Sequence, residues 1–394
     1  MCIRDRFAHL GVVVVCCVLI SSASGFETDS YQQPVNAPSR DILTEQGWQR
    51  VDRSIERGLQ YLISQQQTDG SFKTLVDGQP GITSLCVMSF LANGYLPGEG
   101  KYGDELSKAV TYVCSHQTES GVIASAHPDG PKISRKFEHN LGKTVAYNHA
   151  ISSLMLSEAY GMTGGVDDLI DRSVIQRSLD ASLEMYRWPK PRKLDRGGWR
   201  YAQKEDVDSD LSLTGWQVMF LRSARNAGFE VPSKPIDGTI DYVLSCYRPD
   251  YGTFNYYILG KRDRRSRGMA GAGILALAHA GMHHRKEAVS AGDWILKNGF
   301  DRYNDRKKFD QKSGFNDCYH YGVFYCCQAM YQLGGQHWEA FFPKTSDVLI
   351  KNQGQNGSWA ACNSNAIKFG KCYSSSLCIL ALSSPNQLLP IFHR

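Results

Sequence analysis

Hydrophobic positions along this chain fall into two kinds of segment that alternate. The first kind spaces its apolar residues three or four apart with charges between them, as in Ile55-x-x-x-Leu59-x-x-Leu62 and Leu106-x-x-x-Val110-x-x-Val113. That is the pattern of a helix wet on one side. The second kind is apolar or small around most of its circumference: ITSLCVMSFLAN (82–93), AYNHAISSLMLSEAY (146–160), SLTGWQVMFLRSARNA (212–227), GMAGAGILALAHA (268–280), CYHYGVFYCCQAMYQL (318–333) and CYSSSLCILALS (372–383). Helices of this kind must be buried between neighbours. Five of them run up to Gly94, Gly161, Gly228, Gly281 and Gly334, each placed as a C-cap, at intervals of 67, 67, 53 and 53 residues.

Between the two kinds lies a turn: QQQTDGSF (65–72), HQTESGVI (116–123), DRGGWRY (195–201), RPDYGTFNY (248–256), KSGFNDCY (312–319) and NQGQNGSW (352–359). A glycine with an aromatic or aliphatic residue two positions on reverses the chain and plugs that side chain back between helices. The cadence occurs six times, and no strand-like alternation longer than a few residues interrupts it. It predicts one all-α domain over residues 50–394, with about twelve helices in two concentric rings, the wet helices outside and the buried ones inside.

Composition adds the compartment. Arg4 and Arg6 precede an 11-residue apolar run, Leu10–Ile20, and the small residues Ser21–Gly25, which reads as a secretory signal over residues 1–25. The run is shorter than the roughly 20 residues a spanning helix needs. Export to the periplasm or the medium is expected, with an uncleaved N-terminal anchor as the alternative. Residues 26–49, polar with Pro34 and Pro38, read as a flexible linker. Losing two arginines and one aspartate with the signal lowers the formal charge from +5 to +4, too mild a balance to argue for nucleic acid. Association with a membrane surface stays open, and the oligomeric state is unassigned.

Of twelve cysteines, Cys2, Cys16 and Cys17 leave with the signal. Cys86, Cys326, Cys327 and Cys378 read as small core residues. Cys362 and Cys372, ten apart around a loop, are the first pair to suspect of a disulfide. Their spacing with Cys318 matches no compact zinc pattern, so no metal and no cofactor is expected.

The candidate chemistry sits in Gly197–Trp216, GGWRYAQKEDVDSDLSLTGW. Asp206, Asp208 and Asp210 are close enough that ionising all three is unfavourable, which would prepare one of them as a general acid. The structural alternative is a helix N-cap, with Ser212 or Asp210 accepting from exposed backbone N–H groups.

Some of these residues also resemble a known family. Arg57-Gly58-x-x-Tyr61-Leu62-x-x-x-Gln66-x-x-Asp69-Gly70-x-Phe72, Lys108-Ala109-x-x-Tyr112-Val113-x-x-x-Gln117-x-x-x-Gly121-x-Ile123 and Gln353-x-x-Asn356-Gly357-x-Trp359 look like the repeat of squalene and oxidosqualene cyclases. The resemblance spans roughly residues 50–394, at the level of the prenyltransferase and squalene-cyclase repeat superfamily. It implies an α/α toroid of six helical hairpins around an apolar cavity that takes an apolar or isoprenoid small molecule. Class II terpene cyclases carry an acidic motif after a GGW-type turn at the head of an inner helix. Here Asp208 and Asp210 take that place, Asp210 standing where the proton donor would be and Leu211 replacing the last acid. Prenyltransferase β subunits hold zinc through a D-x-C-Y segment and a later His, whereas Asn316-x-Cys318-Tyr319 and Tyr373-Ser374 leave one ligand of three. The C-G-E-Q segment of complement-like thioester domains is absent.

Two functions therefore stand: a terpene-cyclase-like enzyme protonating an isoprenoid, with Asp208 and Asp210 catalytic, or a toroid that binds an apolar ligand or a partner protein without chemistry. Candidate ligand contacts are Trp216, Phe220 and Tyr373 as aromatic walls, Tyr319 and His320 at an inner-helix start, and Arg265 and Arg267 in the basic run KRDRRSR (261–267). At helix N-termini such a run would suit an anion; the other reading is a solvated loop.

Overall fold

A computed structural model describes residues 38–125, 135–165, 169–188, 196–201, 208–258, 263–309, 317–360 and 364–393, all within one compact unit, residues 35–394. The expected signal, Asp206, Asn316 and Cys362 lie outside the described residues. Six pairs of an outer and an inner helix follow one another: α1 (Glu45–Ile63) and α2 (Gly81–Leu91), α3 (Gly103–Ser115) and α4 (Arg135–Met162), α5 (Arg172–Arg187) and α6 (Leu211–Asn226), α7 (Ser233–Ser245) and α8 (Arg267–His279), α9 (Lys286–Lys297) and α10 (Tyr319–Leu333), and α11 (Gly335–Lys351) and α13 (Lys371–Leu382), the last pair separated by a short α12 (Ser364–Phe369).

The two patterns sort as predicted. Every residue of α2 is buried, whereas α1 buries the stripe Val51, Ile55, Leu59 and Leu62 and leaves the charges between them wet. Inner helices pack in sequence, α2 on α4, α4 on α6, α6 on α8, α8 on α10 and α10 on α13, and α13 returns to α2. The result is the two-ring α/α toroid. Two boundaries and one element differ from the sequence reading. The first helix starts at Glu45, inside the expected linker, because the Thr44 hydroxyl accepts from Gly47 N–H (3.2 Å) and Trp48 enters the core. The fourth starts at Arg135 rather than near residue 146, and α12 was not foreseen.

The turns show what the repeated Gln and Gly do. Gln66 Nε2 donates to Gly70 O within its own turn (3.0 Å) and to Glu105 O of α3 (2.8 Å). Gln117 bridges Gly121 O and Val174 O of α5 in the same way. Gln353 bridges Gly357 O (2.8 Å) and Ser54 O of α1 (2.9 Å), so the sixth turn closes the ring on the first helix. Gly70, Gly121 and Gly357 have φ near +85° and press on the next outer helix: a Cβ on Gly357 would lie 2.2 Å from Arg57 O. The fourth turn achieves its reversal with a two-residue hairpin, β1 (Tyr247–Arg248) and β2 (Thr253–Phe254). Eight cysteines are described and all are unbridged; Cys372, expected to pair with Cys362, is buried beside the Cys86 thiol instead.

Candidate functional site

The inner helices start at one end of the ring, and there a cavity of about 420 Å³ opens among them. Its apolar surface comes from the inner helices, Ile82 and Leu85 of α2, Ile151 of α4, Trp216 of α6, Met269 of α8 and Leu377 of α13. Tyr147, Tyr201, Tyr256, Tyr321, Phe369 and Tyr373 add an aromatic wall, and Asp77, Lys143, Arg264 and Lys368 are its charged groups.

Asp210 stands directly behind this wall. It is the N-cap of α6 and is fully buried. Its Oδ1 accepts from Leu213 N–H (2.9 Å) and from the Ser212 hydroxyl (2.6 Å), and its Oδ2 pairs with the Arg200 guanidinium (2.6 Å). Arg200 comes from the GGWRY turn and also donates to the Tyr256 hydroxyl (3.0 Å), with its guanidinium 4.1 Å from the Tyr201 ring centre. Burial works against the Arg200 charge, but the Asp210 carboxylate and the surrounding phenols outweigh it and hold the group still more firmly protonated. The Ser212 proton is committed to Asp210, so the 2.5 Å contact between Ser212 and Tyr147 needs the Tyr147 hydroxyl as donor. Burial, and then the Asp210 charge, push the hydroxyls of Tyr147 and Tyr256 up, so both stay protonated.

The sequence candidates separate. Trp216 and Tyr373 are on the cavity wall, Trp216 stacking on Phe324 at 5.5 Å with the rings 9° apart. Phe220 lies one turn deeper, fully buried and edge-on to His149 at 6.3 Å. Asp208 is half-buried on the loop before the cap. Arg265 is paired with Asp263 and covers the Tyr251 ring at 3.3 Å, off the wall. Arg267 is a buried rivet, its guanidinium 2.5 Å from Asp317 and bonded to Gly299 O and Asp305 O. Tyr319 packs edge-on against Phe300, and His320, bonded to Tyr303 (2.9 Å), is kept neutral by burial that lowers its pKa to about 4. Neither lines the cavity. Arg264, in the same basic run as Arg265 and Arg267, does; Lys143, Tyr147, Tyr201, Tyr256 and Lys368 are wall residues the sequence reading did not select.

No family model and no curated protein matches the sequence. Solved structures do match in fold. A variant of the type II terpene cyclase MstE from Scytonema, in complex with geranylgeranyl dihydroxybenzoate as substrate, superposes with a TM-score of 0.52 at 11% identity over 89% of this chain and 100% of that one. The cellobiose 2-epimerase of Bacillus thermoamylovorans B4167 gives 0.59 at 10% identity over 86% and 99%, and a glycosidase variant 0.57 at 10% over 88% and 100%. This chain is an α/α toroid of the kind those enzymes share, terpene-cyclase-like in fold; at such identities the likeness is one of fold alone.

Proposed function

We propose that this protein holds an apolar, isoprenoid-like small molecule in the cavity at the inner-helix starts, and that Asp210 braces the wall of that cavity without donating a proton. The observation that carries the reading is the set of donors around Asp210: a guanidinium, a hydroxyl and a backbone N–H all use it as an acceptor, and among the described residues none takes a proton from it. The chain of hydroxyls from Tyr147 through Ser212 runs the same way, with each proton pointing from the cavity wall towards Asp210. Protonation of an unactivated alkene needs the opposite arrangement, an acid aimed into a dry site. A cavity of about 420 Å³ lined by aliphatic and aromatic side chains together with hydroxyl, amide and charged groups is of the size and character that small ligands use. The isoprenoid substrate bound by the MstE variant supports the same ligand class. The signal-like residues 1–25 support export, and N-terminal sequencing of the secreted form should start near residue 26.

Incubation of purified protein with squalene, farnesol and retinol, followed by solvent extraction and mass spectrometry, tests the reading. Recovery of bound lipid unchanged is expected. A cyclised product that disappears in Asp210→Asn would replace binding with catalysis.

A further inference from the structure

α2 and α13, the first and last inner helices, pack side by side where the ring closes. Two contacts fix their register and show that they run the same way. The Ser89 hydroxyl donates to Ser376 O (3.2 Å), and Asn93 Nδ2 donates to the Ser383 hydroxyl (2.8 Å). Cys86 lies one helical turn before Ser89 and Cys372 one turn before Ser376, so this register brings the two cysteines face to face across the seam. Their thiols meet there. Burial, then hydrogen bonding with Cys372 and its charge, push the Cys86 thiol well up, and the Tyr61 hydroxyl of α1, raised chiefly by burial, feels both sulfurs. Both cysteines are buried. A serine side chain that reaches the neighbouring backbone carbonyl also means that the two helices approach closely, as a disulfide requires, with its Cα atoms only about 4.4–6.8 Å apart.

We propose that Cys86 and Cys372, reduced in this structure, form a disulfide under oxidising conditions, a covalent clasp that ties the last inner helix to the first. The oxidant is a disulfide donor, either glutathione disulfide or a protein of the dithiol-oxidase class. The Cys86 thiolate attacks one donor sulfur and releases the other half as a thiolate; the Cys372 thiolate then attacks the Cys86 sulfur of the mixed disulfide and releases the second half. Two electrons pass to the donor, and the two cysteine protons end on its thiols. Burial keeps a thiol protonated and out of reach, so the exchange belongs to the ring as it closes, and the finished fold then shields the bond from reductants. The clasp encloses nearly the whole toroid, and the longer the chain enclosed, the more the unfolded state is constrained.

The test maps the bond directly. The full chain is incubated with glutathione disulfide at a urea concentration just below its unfolding midpoint, where the ring opens and recloses, then unfolded in N-ethylmaleimide and digested with trypsin without reduction. The main linked product should join the peptide 74–101, which carries Cys86, to the peptide 372–394, with fragmentation placing the bond at Cys372 rather than Cys378. The melting temperature should rise by at least about 5 °C over the reduced protein. That rise should vanish in Cys86→Ser and in Cys372→Ser and persist in Cys378→Ser; the wild-type map decides even where a serine variant fails to fold. Maleimide on both Cys86 and Cys372 in wild type, or a bond from either to another cysteine such as Cys362, overturns the pairing. A bond between them with no rise in melting temperature overturns its role as a clasp.

Discussion

Arg267 and Asp317 have no exposed side-chain surface, so removing one leaves the other's charge buried alone. Arg267→Met is expected to cost about 3–5 kcal/mol of stability in urea unfolding, with retinol binding intact in whatever fraction stays folded, since Arg267 is off the cavity wall. Glu158 gives a pH prediction. It is buried between α4, α6 and the C-terminal segment, bonded to Ser223 (2.5 Å) and to Ile391 N–H (3.1 Å), and burial pushes its pKa from 4.5 up to about 7. A carboxyl raised on folding binds its proton more tightly in the native state. Its contribution is therefore complete below pH 4.5 and is lost as pH rises to 7, by roughly 3 kcal/mol. Melting curves of wild type and Glu158→Gln should diverge over that window, the variant losing less stability than wild type as pH rises; parallel curves would contradict the assignment. At this scale the sequence is ambiguous in a definite way. Asp210 at a helix head satisfies the requirements of a cap and of an acid equally, and what separates them is Arg200, ten residues earlier, whose approach depends on how the GGWRY turn docks.

The helices were legible because their cause is local. An all-apolar circumference can be satisfied only by an inner position, and a charged stripe only by an outer one, so the ring assignment follows from periodicity. The Gln and Gly of the turns were legible as a pattern but not as a mechanism: their partners are carbonyls of the following outer helix, 39 residues away for Gln66 and 299 for Gln353. That mechanism makes ring closure testable. Gln353→Ala should destabilise by about 1–3 kcal/mol, and Gly357→Ala by more, because its Cβ would meet the Arg57 carbonyl and its φ of +84° disfavours a side chain. Calorimetry should show the Gln353→Ala loss at least matching that of Gln66→Ala, as both amides bridge their own turn to the neighbouring outer helix and Gln353 also accepts from the Ser54 hydroxyl (2.9 Å). A much smaller loss at Gln353 would mean that the ring is not latched there.

The cavity itself was legible in outline and not in its residues. Inner-helix starts had to converge, which brought Trp216, Tyr321 and Tyr373 to the wall, but two charged groups arrive on elements the periodicity hides. Lys143 comes on the early part of α4, upstream of the apolar run, and Lys368 comes on α12, six residues long. The basic run of residues 261–267 pointed to the right end of the molecule and to the wrong members, since Arg265 faces Asp263, Arg264 the cavity and Arg267, at the start of α8, Asp317. Filling the cavity tests the central claim most directly. Retinol titrated into wild type should bind saturably with one molecule per chain, and Ile82→Trp, which places an indole in the space, should weaken binding at least tenfold with no drop in melting temperature. Equal affinity in the two proteins, or no saturable binding to wild type, would contradict the account.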